Sequence, residues 1–243
     1  MLVTCATEAT PGSVNEDFVV VGPHWAVVLD GATPRPGIDC GCAHGPGWLV
    51  RRLGGELAVR LSGDGTLADA LASAIKAVRD LHPECDLDNP DSPSATAAMV
   101  RWGERVEWLV LADSPVLLDS GDGVRVVRDD RVDRLPSYTA AAVREARNSA
   151  DGFWVASTRP EAAYEALAGE ASGVRRVALL SDGASRLVER FGLMEWSGLL
   201  ELLDGEGPEE LIRRTRAAEA AGGDFPRGKR YDDATAVLVR LGG

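Results

Sequence analysis

Short apolar runs and longer amphipathic stretches divide the chain into alternating blocks. Leu2 to Ala6, Phe18 to Gly22 and Trp25 to Leu29 predict strands, the last apolar enough to be buried on both faces. From Gly47 to Leu61 the residues Trp48, Leu49, Leu53, Leu57 and Leu61 recur at steps of three and four, the period of an amphipathic helix. A second helix is predicted from a Thr66 cap to Leu81, with Pro83 ending it. Ser94 to Trp102, Val106 to Ala112, Val116 to Asp119 and Val124 to Val127 read as strands. Helical character returns from Tyr138 to Ser149 and from Pro160 to Leu167, and Val177 to Ser181 is a strand. Two helices, Trp196 to Leu203 and Pro208 to Ala221, precede a last strand from Ala234 to Leu241.

Strand blocks followed by paired helices favour an α+β arrangement of helix-covered sheets over a doubly wound parallel sheet. No repeat or linker interrupts residues 1–243, so one domain is expected. The loops Ala32-Thr33-Pro34-Arg35-Pro36-Gly37 and Pro226-Arg227-Gly228-Lys229 are too rich in Pro and Gly for regular structure.

Composition narrows the function classes. A hydrophobic share of 45% supports a buried core, and a net charge of −12 argues against nucleic-acid and anionic-membrane binding. No apolar stretch approaches the ~20 residues of a membrane span, and the N-terminus lacks a signal pattern, so a cytoplasmic location is expected. The four cysteines do not make a disulfide framework. Cys40-Gly41-Cys42 with His44 is a soft-metal half-site, but zinc needs partners at comparable spacing and none is visible. The six tryptophans are best explained by core packing.

The chemistry lies in acidic residues at strand ends. Val28-Leu29 runs into Asp30-Gly31, Leu180-Ser181 into Asp182-Gly183, and Asp232-Asp233 leads into the final strand. Asp-Gly is also a common turn, since Asp bonds its own backbone and Gly accepts positive φ. Three such sites, with Glu16-Asp17 as a further pair, instead predict carboxylates gathered on one rim around a hard divalent cation, Mg2+ or Mn2+.

In order along the chain stand Asn15-Glu16-Asp17, Val28-Leu29-Asp30-Gly31, Ser94-Ala95-Thr96-Ala97, Leu111-Ala112-Asp113-Ser114, Leu180-Ser181-Asp182-Gly183 and Asp232-Asp233-Ala234-Thr235. With these motifs the chain resembles the metal-dependent protein phosphatases of the type 2C class. The resemblance implies a four-layer α-β-β-α sandwich, two central antiparallel sheets flanked by helices, with two metal ions and room for a third. Asp30 would bridge both ions, the Gly31 carbonyl would touch one, and Asp182 and Asp232 would complete the other site. Glu16 and Asp17 would act directly or through water, and Asp113 would hold a third ion or orient an acid. The implied reaction is hydrolysis of phosphoserine or phosphothreonine in a phosphorylated protein by a metal-activated water. Two alternatives accompany it: a catalytically weak, metal-binding regulatory protein, and a phosphatase of small phosphate esters.

The chain also departs from that pattern. Gly12 stands where the family usually carries a phosphate-gripping arginine, leaving Arg35 as the candidate for substrate binding. Ala32-Thr33-Pro34 replaces the histidine-bearing segment of eukaryotic members, so His44 is the candidate acid, and Pro115 replaces an arginine after Asp113-Ser114.

Overall fold

The computed structural model describes residues 1–32, 37–222 and 229–242. One sheet has the order β1 (Leu2–Glu8), β11 (Ala234–Arg240), β10 (Arg176–Leu180), β7 (Val116–Asp119), β8 (Val124–Val127). The other runs β2 (Asp17–Val21), β3 (Trp25–Ala32), β5 (Ala97–Trp102), β6 (Val106–Leu111), β9 (Leu167–Ala171), with β4 (Ser94–Ala95) also paired to β3. The strand pairs in both sheets are antiparallel.

Side-chain alternation explains how these sheets stack. In β3, Val27 and Leu29 face α1 (Pro46–Arg60) and α2 (Leu67–Arg79), packing with Leu53, Leu57, Leu71 and Ile75. Ala26 and Val28 face the other way, against Val177, Leu179, Val237 and Val239 of the opposite sheet. That sheet's outer face, carrying Ala178, Leu180, Ala236 and Leu238, is covered by α4 (Asp182–Glu189), α5 (Trp196–Glu206) and α6 (Pro208–Ala221). Each central strand thus buries both faces, which is why the runs Trp25–Leu29 of β3, Val177–Leu180 of β10 and Ala236–Val239 of β11 are continuously apolar. The result is the expected four-layer α-β-β-α sandwich.

Local chemistry sets the helix ends. Thr66 caps α2 by accepting from the Asp69 amide (3.0 Å), while the Asp69 carboxylate accepts from the Thr66 amide. Pro46 and Pro208 occupy the first turns of α1 and α6.

Three segments differ from the sequence expectation. The stretch after Ser181, to which the sequence assigns no element, is α4, opened by Asp182-Gly183 because Ser181 leaves the strand extended and the chain coils at once. The stretch expected to be helical from Pro160 to Leu167 is a 3-10 helix over Pro160–Glu165, after which Leu167 starts β9. That edge strand is mostly exposed, so it carries no apolar alternation to betray it. The Tyr138–Ser149 helix shortens to α3 (Ala140–Ala146), capped by Thr139.

Candidate metal centre

The two sheets bring the acidic residues to one end. Asp17 and Asp30 are register partners across β2 and β3. Antiparallel pairing of Leu180 with Ala236 places the exit of β10, and hence Asp182, beside the entry of β11, and hence Asp232. The Ser181 amide donates to the Thr235 carbonyl (2.9 Å), and the Thr235 amide to Ser181 Oγ (2.9 Å). A third bond joins the sheets: Thr235 Oγ1 donates to Asp17 Oδ2 (2.7 Å). With its proton committed there, Thr235 accepts from Thr7 Oγ1 (2.7 Å), which in turn accepts from Asn15 Nδ2 (2.8 Å).

Asp113 enters from the link between β6 and β7, where the chain passes from one sheet to the other. The preceding Ala112 is buried at φ +65°, an uncommon conformation for a residue with a Cβ. Nearby, the Thr96 amide donates to the Asp30 carbonyl (2.9 Å), and Thr96 Oγ1 meets Ser114 Oγ at 2.5 Å.

Electrostatics shows how closely these groups are held. Burial raises the Asp17 carboxyl to about 7, against hydrogen bonds from Thr235 and Ser181, and the charges of Asp182 and Asp233 raise it further. Asp30 is pushed well above the carboxylate range by burial and then by Asp17, Asp182, Asp232 and Asp113. Asp182 rises to about 7 through burial, Asp232 and Asp113, opposed by Arg186 and by a hydrogen bond with Asp30. Asp113 rises to about 6, chiefly by burial. Acids buried this deeply, three of them also under the charge of a neighbouring aspartate, call for a cation in their midst.

An orphaned atom agrees with that need. Asp17 Oδ1 is buried and has no hydrogen-bond partner among the described residues, although its sister oxygen is bonded to Thr235. Hard oxygen donors of this kind fit Mg2+ or Mn2+. Among the described residues no three of these carboxylates form a compact shell of the size one ion would fill.

Neighbours fix the other acids. Arg186 and Glu219 are buried; Arg186 Nη1 donates to Glu219 Oε1 (2.7 Å) and Nη2 to Asp232 Oδ2 (2.8 Å). Lys229 Nζ lies 3.5 Å from Asp232 Oδ1. Asp233 is buried and accepts from the amides of Thr10 and Glu16, both at 2.6 Å, so it shapes the strand-linking loop. Glu16, half-buried, receives the Gly31 amide on its main-chain carbonyl (3.1 Å). A Cβ on Gly31 would stand 2.6 Å from that carbonyl, and one on Gly183 would stand 1.9 Å from the Asp233 carbonyl, so both sites need glycine.

Arg186 and Thr235 bond acidic residues of the group and Glu219 bonds Arg186, and the sequence singled out none of the three as a site residue. The hint was present for Arg186, an arginine one helical turn after Asp182 in a segment to which the sequence assigns no element. Arg128 and Glu189, which pair with each other near Asp113, carried no sequence signal.

Arg35 falls outside the described residues. Gly12 sits at φ +80° in a turn closed by the Ser13 amide on the Thr10 carbonyl (2.9 Å). His44 turns to a group of thiols: its Nδ1 is 3.5 Å from Cys42 Sγ and 3.7 Å from Cys85 Sγ, and its ring stacks on Trp48 at 4.1 Å.

No protein-family model and no curated protein sequence matches the chain. Solved structures do match, over nearly the full length. The fold is that of the PPM-type serine/threonine phosphatases. The serine/threonine phosphatase PstP/Ppp of Mycobacterium tuberculosis superposes with a TM-score of 0.63 at 19% identity, over 99% of this chain and 98% of that one. Stp1 of Staphylococcus aureus gives 0.66 at 14% identity, over 99% and 95%. The catalytic domain of PstP in complex with two manganese ions gives 0.62 at 17% identity, over 98% and 96%.

Proposed function

We propose that this chain is a Mg2+- or Mn2+-dependent phosphoric monoester hydrolase acting on phosphoserine or phosphothreonine in proteins. The observation that carries the reading is the burial of Asp17, Asp30, Asp113 and Asp182, with the Asp232 charge beside Asp30 and Asp182, at one end of a sandwich shared with serine/threonine phosphatases.

Asp30, Asp182 and Asp232 would hold two ions together with the Gly31 carbonyl, and Glu16 and Asp17 would contribute directly or through water. When bound, such a pair supplies an attacking water of lowered pKa and neutralises the phosphoryl oxygens. The chain's own residues do the rest. Thr235 fixes Asp17, and Arg186 fixes Asp232, each by a hydrogen bond that sets the carboxylate's orientation. Asp113, raised to about 6, keeps a proton further toward neutrality than an ordinary carboxylate, and this suits it to protonate the leaving serine or threonine oxygen. His44 is turned toward the thiols and is not needed as the acid.

With glycine at position 12, substrate phosphate falls to the ions, to main-chain N–H groups and to Arg35. Replacing Arg35 by Ala is expected to raise KM roughly tenfold or more, the worth of a charge-assisted hydrogen bond of about 1.5–3 kcal/mol, with kcat little changed.

One observation favours the regulatory reading. Lys229 Nζ lies 3.5 Å from Asp232 Oδ1, the oxygen that Arg186 does not bond, and competes with a metal for it. Hydrolysis of p-nitrophenyl phosphate and of a phosphothreonine peptide, with and without Mn2+, separates the possibilities. Manganese-stimulated turnover of the peptide, lost in Asp30→Asn and Asp182→Asn, supports the proposal. Turnover of the small ester alone points to small phosphate esters. Manganese binding without turnover points to regulation.

A further inference from the structure

Beside the β3–α1 connection, four side chains from two distant segments face one another: Cys42 and His44 before α1, and His82 and Cys85 after α2. One ligand atom from each lies within 4.8 Å of all the others. Cys42 Sγ is 3.5 Å from His44 Nδ1 and 3.6 Å from His82 Nδ1, and Cys85 Sγ is 3.7 Å from His44 Nδ1. A tetrahedral zinc ion with Zn–S of about 2.3 Å and Zn–N of about 2.0 Å demands S···N edges of about 3.5 Å. These three edges lie within about 0.2 Å of that value.

The surroundings match as well. His82 is buried, and Trp48 lies 4.1 Å from the His44 ring and 5.0 Å from the His82 ring, an apolar wall on one side of the group. The His44 amide donates to Cys42 Sγ (3.4 Å), a bond that orients the sulfur. The Asp86 amide donates to the Gly41 carbonyl (2.8 Å), so the two segments are already aligned.

We propose that Cys42, His44, His82 and Cys85 bind one Zn2+ in a closed tetrahedral site, separate from the acidic centre, that pins the start of α1 to the end of α2. Two thiolates and two imidazoles select zinc over Mg2+ or Mn2+, and four protein ligands leave no position open for catalysis. The site reaches the acidic centre mechanically. Pro46, at the start of α1, abuts Gly31, where an added Cβ would stand 2.9 Å from the Pro46 Cβ. Holding residues 42–44 in place therefore holds the helix that backs Asp30-Gly31.

Metal analysis of the protein purified without chelator tests this directly. About one zinc per chain is expected, retained in Cys40→Ser and in Asp30→Asn and lost in Cys42→Ser and Cys85→Ser. X-ray absorption on the wild-type protein should show two sulfur and two nitrogen neighbours, with Zn–S near 2.3 Å. That measurement decides the matter even where the Cys variants do not fold. A protein that carries no zinc and takes up none from an equimolar solution overturns the proposal. So does zinc retained by folded Cys42→Ser and Cys85→Ser, a Cys42–Cys85 disulfide in the purified protein, or a shell of oxygen and nitrogen alone. Loss of phosphatase activity in Asp30→Asn with zinc intact separates this site from the acidic one.

Discussion

At Asp17 one oxygen is bonded and the other is buried with no partner among the described residues, an asymmetry that a cation would relieve. Thr235 makes the bonded side possible, because its hydroxyl links Asp17 to Thr7 across the two sheets. Thr235→Val keeps the shape and removes that hydroxyl, leaving Asp17 Oδ2 with one donor fewer. A loss of about 1–3 kcal/mol in a chemical denaturation experiment is expected, and an unchanged midpoint would contradict the assigned bond. Arg186 plays the corresponding part at Asp232. Arg186→Gln should weaken Mn2+ binding by roughly 10–100-fold in calorimetric titration, the usual effect of removing a group that orients a ligand. Little of this was legible beforehand: Asp30, Asp182 and Asp232 announced themselves at the ends of apolar runs, whereas Thr235 and Arg186 acquire their roles only once the strands are paired.

Elements were legible where burial imposed a pattern. The central strands and α1, α2, α5 and α6 follow from apolar runs and three-and-four spacing, because each packs a full face against a sheet. Where packing left no such mark, the sequence was silent. The exposed edge strand β9 has no alternation, and α4 begins with a dipeptide that more often makes a turn. The thiol–imidazole group escaped for a different reason, since its two halves are 40 residues apart and meet only when α1 and α2 lie side by side. Neighbouring glycines of α1 offer a test of the packing. Gly54 faces the Phe18 ring, where a Cβ would stand at 2.5 Å, while Gly55 is exposed with nothing within 4 Å. Gly55→Ala should stabilise by about 0.5–1 kcal/mol through helix propensity alone. Gly54→Ala should destabilise by about 1–3 kcal/mol through overpacking. Equal effects in thermal denaturation would contradict the docking of α1 on β2.

For the whole molecule, the acidic end is a cost that the proposed cations would remove. Asp17 and Asp182 titrate near 7 when folded and in the ordinary carboxylate range when unfolded, so the folded state holds extra protons between about 4 and 7. Stability of the protein freed of Mg2+ and Mn2+ should therefore fall as pH rises through that window and level off above it. A melting temperature higher at pH ~5.5 than at pH ~8, with a smaller difference in Asp30→Asn, is the expected result. Added Mn2+ should raise the melting temperature more at the higher pH, where the carboxylates are ionised. A melting temperature that climbed with pH in the metal-free protein would contradict the carboxylate cluster. The four-layer arrangement is what concentrates this charge, because its two sheets deliver Asp17 and Asp30 from one side and Asp182 and Asp232 from the other.

The central claim is that these carboxylates gather around paired cations, and anomalous diffraction from a manganese-soaked crystal measures it most directly. Two manganese peaks between Asp30, Asp182 and Asp232, with Asp17 Oδ1 facing one of them or its water, are predicted. A map with no manganese there, and Asp232 still held by Arg186 and Lys229, would contradict the account.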